Sequence, residues 1–146
     1  MNAIKISNTG EHLAADATGH AAILLLDLGL MFAVGALPDP MPHAEAEKAT
    51  SELNNAGFDD WRLPTVQELV SIVDYSRKSP SCDTDLFPDA KADWYWTGTD
   101  SAWSSFYAWS SFYAWFVHFH DGSVHLSHRG LTAFVRAVRR VAPASQ

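Results

Sequence analysis

Four closely spaced histidines, His118, His120, His125 and His128, are the side chains of this chain whose types could do chemistry as a group. Imidazole nitrogen is a good zinc ligand, and His118 and His120, two residues apart, share one face of a strand. A metal site would need a hairpin to carry His125 or His128 across at the right height, and beyond Asp121 no cysteine or carboxylate completes the set. The spacing matches no standard zinc pattern, so the expectation is no stoichiometric zinc or calcium and no cofactor. No Ser-His-Asp order, glycine-rich phosphate loop or paired-carboxylate motif points to catalysis. Cys82 is the only cysteine; it excludes an intramolecular disulfide and reads as an incidental free thiol.

The histidines are interleaved with serines and aromatic rings, which is the composition of a binding face: large rigid anchors among small, adaptable hydrogen bonders. The candidate contact residues are Ser104, Ser105, Phe106, Tyr107, Ser110, Ser111, Phe112, Tyr113, Phe116, His118, His120, Ser123, His125, Ser127 and His128. Phe116 is the expected ligand anchor among them. Trp61, Trp103, Trp109, Trp115 and Val117 are expected to pack the scaffold.

These residues need strands to hold them. Residues 113–120 alternate Trp115, Val117 and Phe119 on one face with Phe116, His118 and His120 on the other. Asp121-Gly122 is a two-residue hairpin signal leading into residues 123–128. Trp94 opens an earlier strand, and residues 133–141 read as a last one. The six-residue unit Ala102-Trp103-Ser104-Ser105-Phe106-Tyr107 recurs as Ala108-Trp109-Ser110-Ser111-Phe112-Tyr113. An even period keeps the facing of whatever follows, so the duplication extends either a strand or a loop.

Upstream, residues 29–34 are a short apolar segment closed by Gly35 and the Pro38-Asp39-Pro40 breaker, and they read as a buried strand. Residues 43–55 read as a first helix with Ala46, Ala49 and Leu53 on one face. Thr65 and Glu68 form a capping box that starts a second helix over residues 65–75. Residues 75–92, with Pro80 and Pro88, read as a long ordered loop. Arg62 and Arg136 are expected in scaffold ion pairs, with Asp59, Asp60 or Asp74 as partners.

The 146 residues suit a single domain, 1–146, with enough apolar material for a core. The net charge of −7 is concentrated before residue 92, where 14 acidic side chains face 6 basic ones. With no basic stripe, nucleic acid is excluded as a partner. The apolar run over residues 21–37 contains Asp27 and is shorter than the roughly 20 residues a spanning helix needs, so no membrane insertion is expected. The start lacks a cationic segment followed by an apolar one, so no signal peptide is expected, and the location is cytoplasmic or virion-associated.

Gly57-Phe58-Asp59-Asp60-Trp61-Arg62-Leu63-Pro64-Thr65, then Glu68-Leu69, Val73-Asp74-Tyr75-Ser76, Phe87-Pro88, Trp94-Tyr95-Trp96, Ala114-Trp115-Phe116-Val117, Asp121-Gly122 and Val135-Arg136 together resemble the Lcl C-terminal domain family. The resemblance runs from about Gly29 to Arg139, and its most specific part is Asp60-Trp61-Arg62-Leu63-Pro64 before a helix. It implies an α+β, C-type lectin-like fold with two helices packed on twisted antiparallel sheets, in the formylglycine-generating-enzyme branch. That branch's oxidase uses two cysteines, where this chain has Cys82 alone. The fold also serves the variable proteins of diversity-generating retroelements, often phage-encoded, in which adenines of the gene are mutated. Residues 92–145 contain no Lys, Glu, Gln or Met, which is what randomised asparagine codons ending in a pyrimidine would leave. Three readings stand: a binding module with a variable face for a protein or glycan, an enzyme of the formylglycine-generating type, and a non-diversified structural or interaction domain. The oligomeric state is unknown at this level.

Overall fold

The computed structural model of the chain describes residues 2–100 and 112–141. The apolar run over 21–37 makes two strands rather than one: β2 (Ala22–Leu25) and β3 (Leu30–Ala33) pair antiparallel across a turn that holds Asp27. Every residue of both strands is buried. Ile23, Leu25, Leu30 and Phe32 face one core, while Ala22, Leu24, Met31 and Ala33 face another. A strand covered on both sides has no polar alternation, which is why the run looks continuous.

The polar start contributes an unexpected strand, β1 (Ala3–Ile6), against β2. Its Lys5 is buried, with Nζ donating to the Ala17 carbonyl at 2.7 Å and lying 3.1 Å from Asp85. The last strand, β7 (Val138–Arg140), pairs with β3, so chain start and chain end share one sheet ordered β1-β2-β3-β7. Residues 133–137, expected as part of that strand, make only the isolated bridges Met41–Ala133 and Tyr95–Phe134.

The second sheet has the order β4-β5-β6, all antiparallel: β4 (Trp94–Asp100), β5 (Tyr113–His118) and β6 (Ser123–His128). The hairpin is present, but β5 stops at His118 and the turn has four residues, 119–122. Phe119 leaves the ladder because its N–H donates to Asp93 and its carbonyl accepts from Ser81, which turn its ring into the core. Gly122 adopts φ +85°, and a Cβ there would lie 2.6 Å from Val73 and 2.8 Å from Tyr75. Glycine is required there for both conformation and space.

The helices are shorter than expected. α1 (His43–Ser51) buries His43, Ala46 and Thr50 rather than an Ala46-Ala49-Leu53 stripe. The register is set by His43, whose Nε2 lies 2.8 Å from the Thr97 carbonyl. α2 (Val66–Val70) has the full capping box, Thr65 Oγ1 accepting from Glu68 N–H and Glu68 Oε1 accepting from Thr65 N–H. It ends early because Ile72 and Val73 bond three residues back and Asp74 N–H turns to the Ser81 carbonyl. No helix among the described residues is long and apolar enough to cross a membrane.

The main core lies where α2, β4 and β5 meet β2 and β3, and contains Leu69, Ile72, Phe87, Tyr95, Val117 and Phe119. A third cluster covers the opposite face of β4 and β5 with Ala46, Leu63, Ala133 and Val135 against Trp96 and Phe116. Trp61 is buried as expected and Val117 is fully enclosed, whereas Trp115 is only half-buried. The expected ion pairs form with other partners: Arg62 with Glu68, Arg136 with Asp89, while Asp60 takes Arg139.

Two measurements check this architecture. Trp96 is completely buried and its indole N–H donates to Met41 at 2.8 Å, so Trp96→Ala is expected to cost about 3–5 kcal/mol. Trp115→Ala should cost clearly less; equal losses in thermal melts would contradict the facing described here. The Arg62 guanidinium holds the Glu68 carboxyl below its ordinary value of 4.5, with the Thr65 N–H adding to the effect. A depressed carboxylate stabilises the fold above its unfolded pKa and loses that contribution as pH falls through the folded one. Glu68→Gln keeps a capping acceptor, so denaturant melts should show it less stable than the parent at neutral pH, with the gap closing in acid.

Candidate functional site

Strand pairing decides which expected contact residues meet. Direct partners in an antiparallel ladder share a face, so Trp94, His118 and Ser123 stand in one row and Trp96, Phe116 and His125 in the next. Trp94 is the hub. Its ring stacks on Phe116 at 3.9 Å, with an interplanar angle of 11°, and meets the edges of His118 at 4.4 Å and His125 at 5.4 Å. His118 in turn lies 5.9 Å from the His120 ring. Three of the expected histidines therefore gather at the end of the sheet nearest the 119–122 turn.

Phe116, expected as the exposed anchor, is only 7% exposed, because Trp94 and Trp96 sandwich it. Ser127 is also buried, at 5%, opposite the enclosed Ala114. Both belong to the packed part of the sheet. His125, His128 and His120 are exposed, and His118, Ser123 and Tyr113 are half-buried. His120 is not on the strand: its Nδ1 lies 2.6 Å from Ser79 Oγ, which ties the turn to the long loop. Ser104, Ser105, Phe106, Tyr107, Ser110 and Ser111, together with most of the six-residue duplication, lie outside the described residues.

A second group forms at the other end of the hairpin. Phe112, 58% exposed, stacks on His128 at 6.2 Å, and Tyr113 meets His128 edge-on at 5.8 Å. Behind them Arg129 is a clasp that sequence reasoning missed. Its N–H donates to the Phe112 carbonyl and its Nε to the Tyr113 carbonyl, while its guanidinium reaches Asp100 and the Nδ1 of buried His43. His43 Nδ1 also lies 3.0 Å from the Glu47 carboxylate, and its Nε2 donates to the Thr97 carbonyl, which can only accept. The last residue of β4 and the first residues before and in β5 are thus held by one residue, Arg129, whose backbone N–H holds Phe112 and whose guanidinium holds Tyr113 and Asp100.

Two of the histidines also act on the backbone. His118 Nδ1 accepts from His120 N–H at 2.9 Å, and His128 Nδ1 accepts from Gly130 N–H at 3.0 Å. The accepting nitrogen carries no proton in this arrangement. Asp121, at the turn, has its carboxyl held below the ordinary range, first by the Ser123 hydroxyl and then by the Ser123 N–H.

Among the described residues no group of three or more His, Cys, Asp or Glu side chains is placed to hold a metal ion. Cys82 is buried in the main core, and loss of water pushes its thiol up to about 11. It is a protonated thiol and a poor nucleophile.

A mixed α+β domain with two antiparallel sheets presents this ring-and-histidine cluster at one end of the smaller sheet. The chain belongs to the Lcl C-terminal domain family, whose model matches residues 24–139. No curated protein matches the chain.

Trp94 was legible only as the start of a strand; its opposition to His118 needed the β4–β5 register, which no local pattern carries. The Cys82 environment gives a direct check. A soluble disulfide reagent should modify the folded protein far more slowly than the urea-unfolded protein at the same pH, and equal rates would show the thiol exposed.

Proposed function

We propose that this chain is a non-catalytic ligand-binding module of C-type lectin-like fold, using the open end of β4–β5–β6 and the Phe112–His128 group as its contact surface. The observation that carries this reading is the Trp94 cluster. His118 and His125 are held in T-shaped contact with one ring that is itself stacked on Phe116, so they are fixed in place while His125 remains exposed and His118 half-exposed. Rigid aromatic anchors with small polar neighbours suit a protein or glycan partner, because little rotamer freedom is lost on contact.

The exposed positions Phe112, His120, His125 and His128, and the half-buried Tyr113, His118 and Ser123, are all residue types reachable from a randomised asparagine codon ending in a pyrimidine. None of those side chains takes part in the ion pairs Arg62–Glu68, Arg136–Asp89 and Arg139–Asp60 that hold the scaffold. This favours a surface diversified by a retroelement, in a phage-encoded, virion-associated protein. The C-type lectin-like assignment rests on the family and on the two-helix, two-sheet architecture. The oxidase alternative lacks support, since one buried, protonated cysteine stands where that chemistry needs two.

The combined variant His118→Ser, His120→Ser, His125→Ser and His128→Asn is expected to lose the parent's binding on a printed array of glycans and host surface proteins. Its melting point should fall only modestly, since surface substitutions each change stability by about 0.5 kcal/mol or less. Global unfolding would make these residues core, and unchanged array binding would place the contact surface elsewhere. The genetic part has its own test: a nearby near-identical DNA repeat differing only at adenines, beside a reverse-transcriptase gene. A locus without them would sink diversification and leave the binding surface standing.

A further inference from the structure

Away from the histidine cluster, a cleft of about 340 Å³ opens between the end of α2 and the turn at residues 83–87. That is the size of a small-molecule site. Its apolar wall is Ile72, Val73, Leu86 and Phe87, and its polar groups are two carboxylates, Asp74 and Asp83. Among the described residues no basic side chain lines it. Asp83 uses Oδ1 to accept from Asp85 N–H at 2.9 Å and Leu86 N–H at 3.3 Å, which leaves Oδ2 without a partner among the described residues. Asp74 accepts from Ser76 and pairs with Arg77, and the Ser76 hydroxyl and N–H hold its carboxyl below the ordinary range, so it stays ionised. The nearby ammonium of Lys5 is already engaged by Asp85 and the Ala17 carbonyl.

Tyr75 supplies the third element. It is 69% exposed, yet its ring packs on Gly122 so closely that a Cβ there would come within 2.8 Å of Cε1. An exposed aromatic ring held in position beside the Asp83 carboxylate, whose Oδ2 has no hydrogen-bond partner among the described residues, and an apolar wall is complementary to a cation on an aliphatic stem. Asp74 already has Arg77 as counter-ion, but an anionic or neutral ligand would leave the Asp83 carboxylate uncompensated as water is expelled. We propose that this cleft binds a primary alkylammonium group, its charge met by Asp83 and Asp74 beside the Tyr75 ring and its stem lying on Ile72, Leu86 and Phe87. The cleft shares no lining residue with the histidine surface. A lysine side chain of a partner protein and a free polyamine share this chemistry.

The test is a chemical-shift titration of the intact chain with n-butylammonium chloride, and with n-butanol as the neutral match. The ammonium should move the amides of Val73, Tyr75 and Leu86 saturably, and butanol should not. Asp83→Asn keeps an acceptor for the turn and should weaken binding about tenfold, the loss of one charge-assisted contact. Tyr75→Leu keeps apolar area and should weaken it about threefold. The fourfold histidine variant should bind butylammonium as the parent does, which separates this site from the proposed contact surface. A capped lysine binding more tightly than 1,4-diaminobutane would assign the site to a protein side chain, and the reverse order to a free polyamine; either result supports it. Equal responses to butanol, shifts confined to β5 and β6, or an Asp83→Asn variant that melts and binds like the parent would overturn the proposal.

Discussion

The buried guanidinium of Arg136 is the constraint from which most of the architecture follows. Its Nη1 donates to the Ala33 carbonyl at the end of β3 and to both oxygens of Asp89, at 2.9 and 2.7 Å. The Phe87 and Tyr95 rings lie 4.8 and 5.7 Å from its carbon. A cation this deeply buried is tolerated only with its counter-ion in place, because an unpaired buried charge costs several kcal/mol. Asp89 must therefore be fixed, and its second role, accepting from Gly35 N–H, fixes the chain after β3 as well. The long loop inherits its order from that pair. Phe87 is carried into the core with it, Tyr95 is set against the same cation, and the start of β4 is placed relative to the four-stranded sheet.

With both sheets packed on both sides, little of the central strands remains to face solvent. The Trp94 row, next to the 119–122 turn, is an exception: Trp94 and His118 are half-buried there. The opposite end, by Phe112 and His128, is held by Arg129 rather than by packing. Two accessible groups at the two ends of one hairpin are thus supported in different ways, one by stacked rings and one by hydrogen bonds to backbone carbonyls. Accessible side chains on a scaffold fixed from behind are the arrangement in which contact chemistry can change without changing the fold.

Local chemistry was well written in the sequence. The Thr65–Glu68 capping box and the strands at Trp94, Tyr113 and Ser123 all rest on patterns a few residues long, and all are present, although the helix expected to run to residue 75 ends at Val70. What depends on distant neighbours was not legible. Period-two reasoning put Phe116 outward because it assumes one wet face, and here Trp94, Trp96 and Val135 dry the other. The arginines were read as scaffold, which they are, yet Glu68 and Asp89 replace the expected aspartates because β7 lies beside residue 62 and brings Arg139 to Asp60. β1 escaped notice because a lysine in its middle looks solvated, and only the carbonyl of Ala17 and the carboxylate of Asp85 make its burial possible. Of the site itself, the histidines were visible and the Trp94 ring that gathers them was not.

The two imidazoles that cap their own turns have a consequence for how this surface tolerates change. His118 and His128 each stand two residues before the N–H they accept, the same relation by which asparagine, aspartate and serine side chains close a turn on themselves. The backbone at these corners asks only for an acceptor at that distance and is indifferent to what the rest of the side chain presents. Substitution among these four residue types therefore alters shape, charge and hydrogen-bonding character on the outside while the corner beneath keeps its bond.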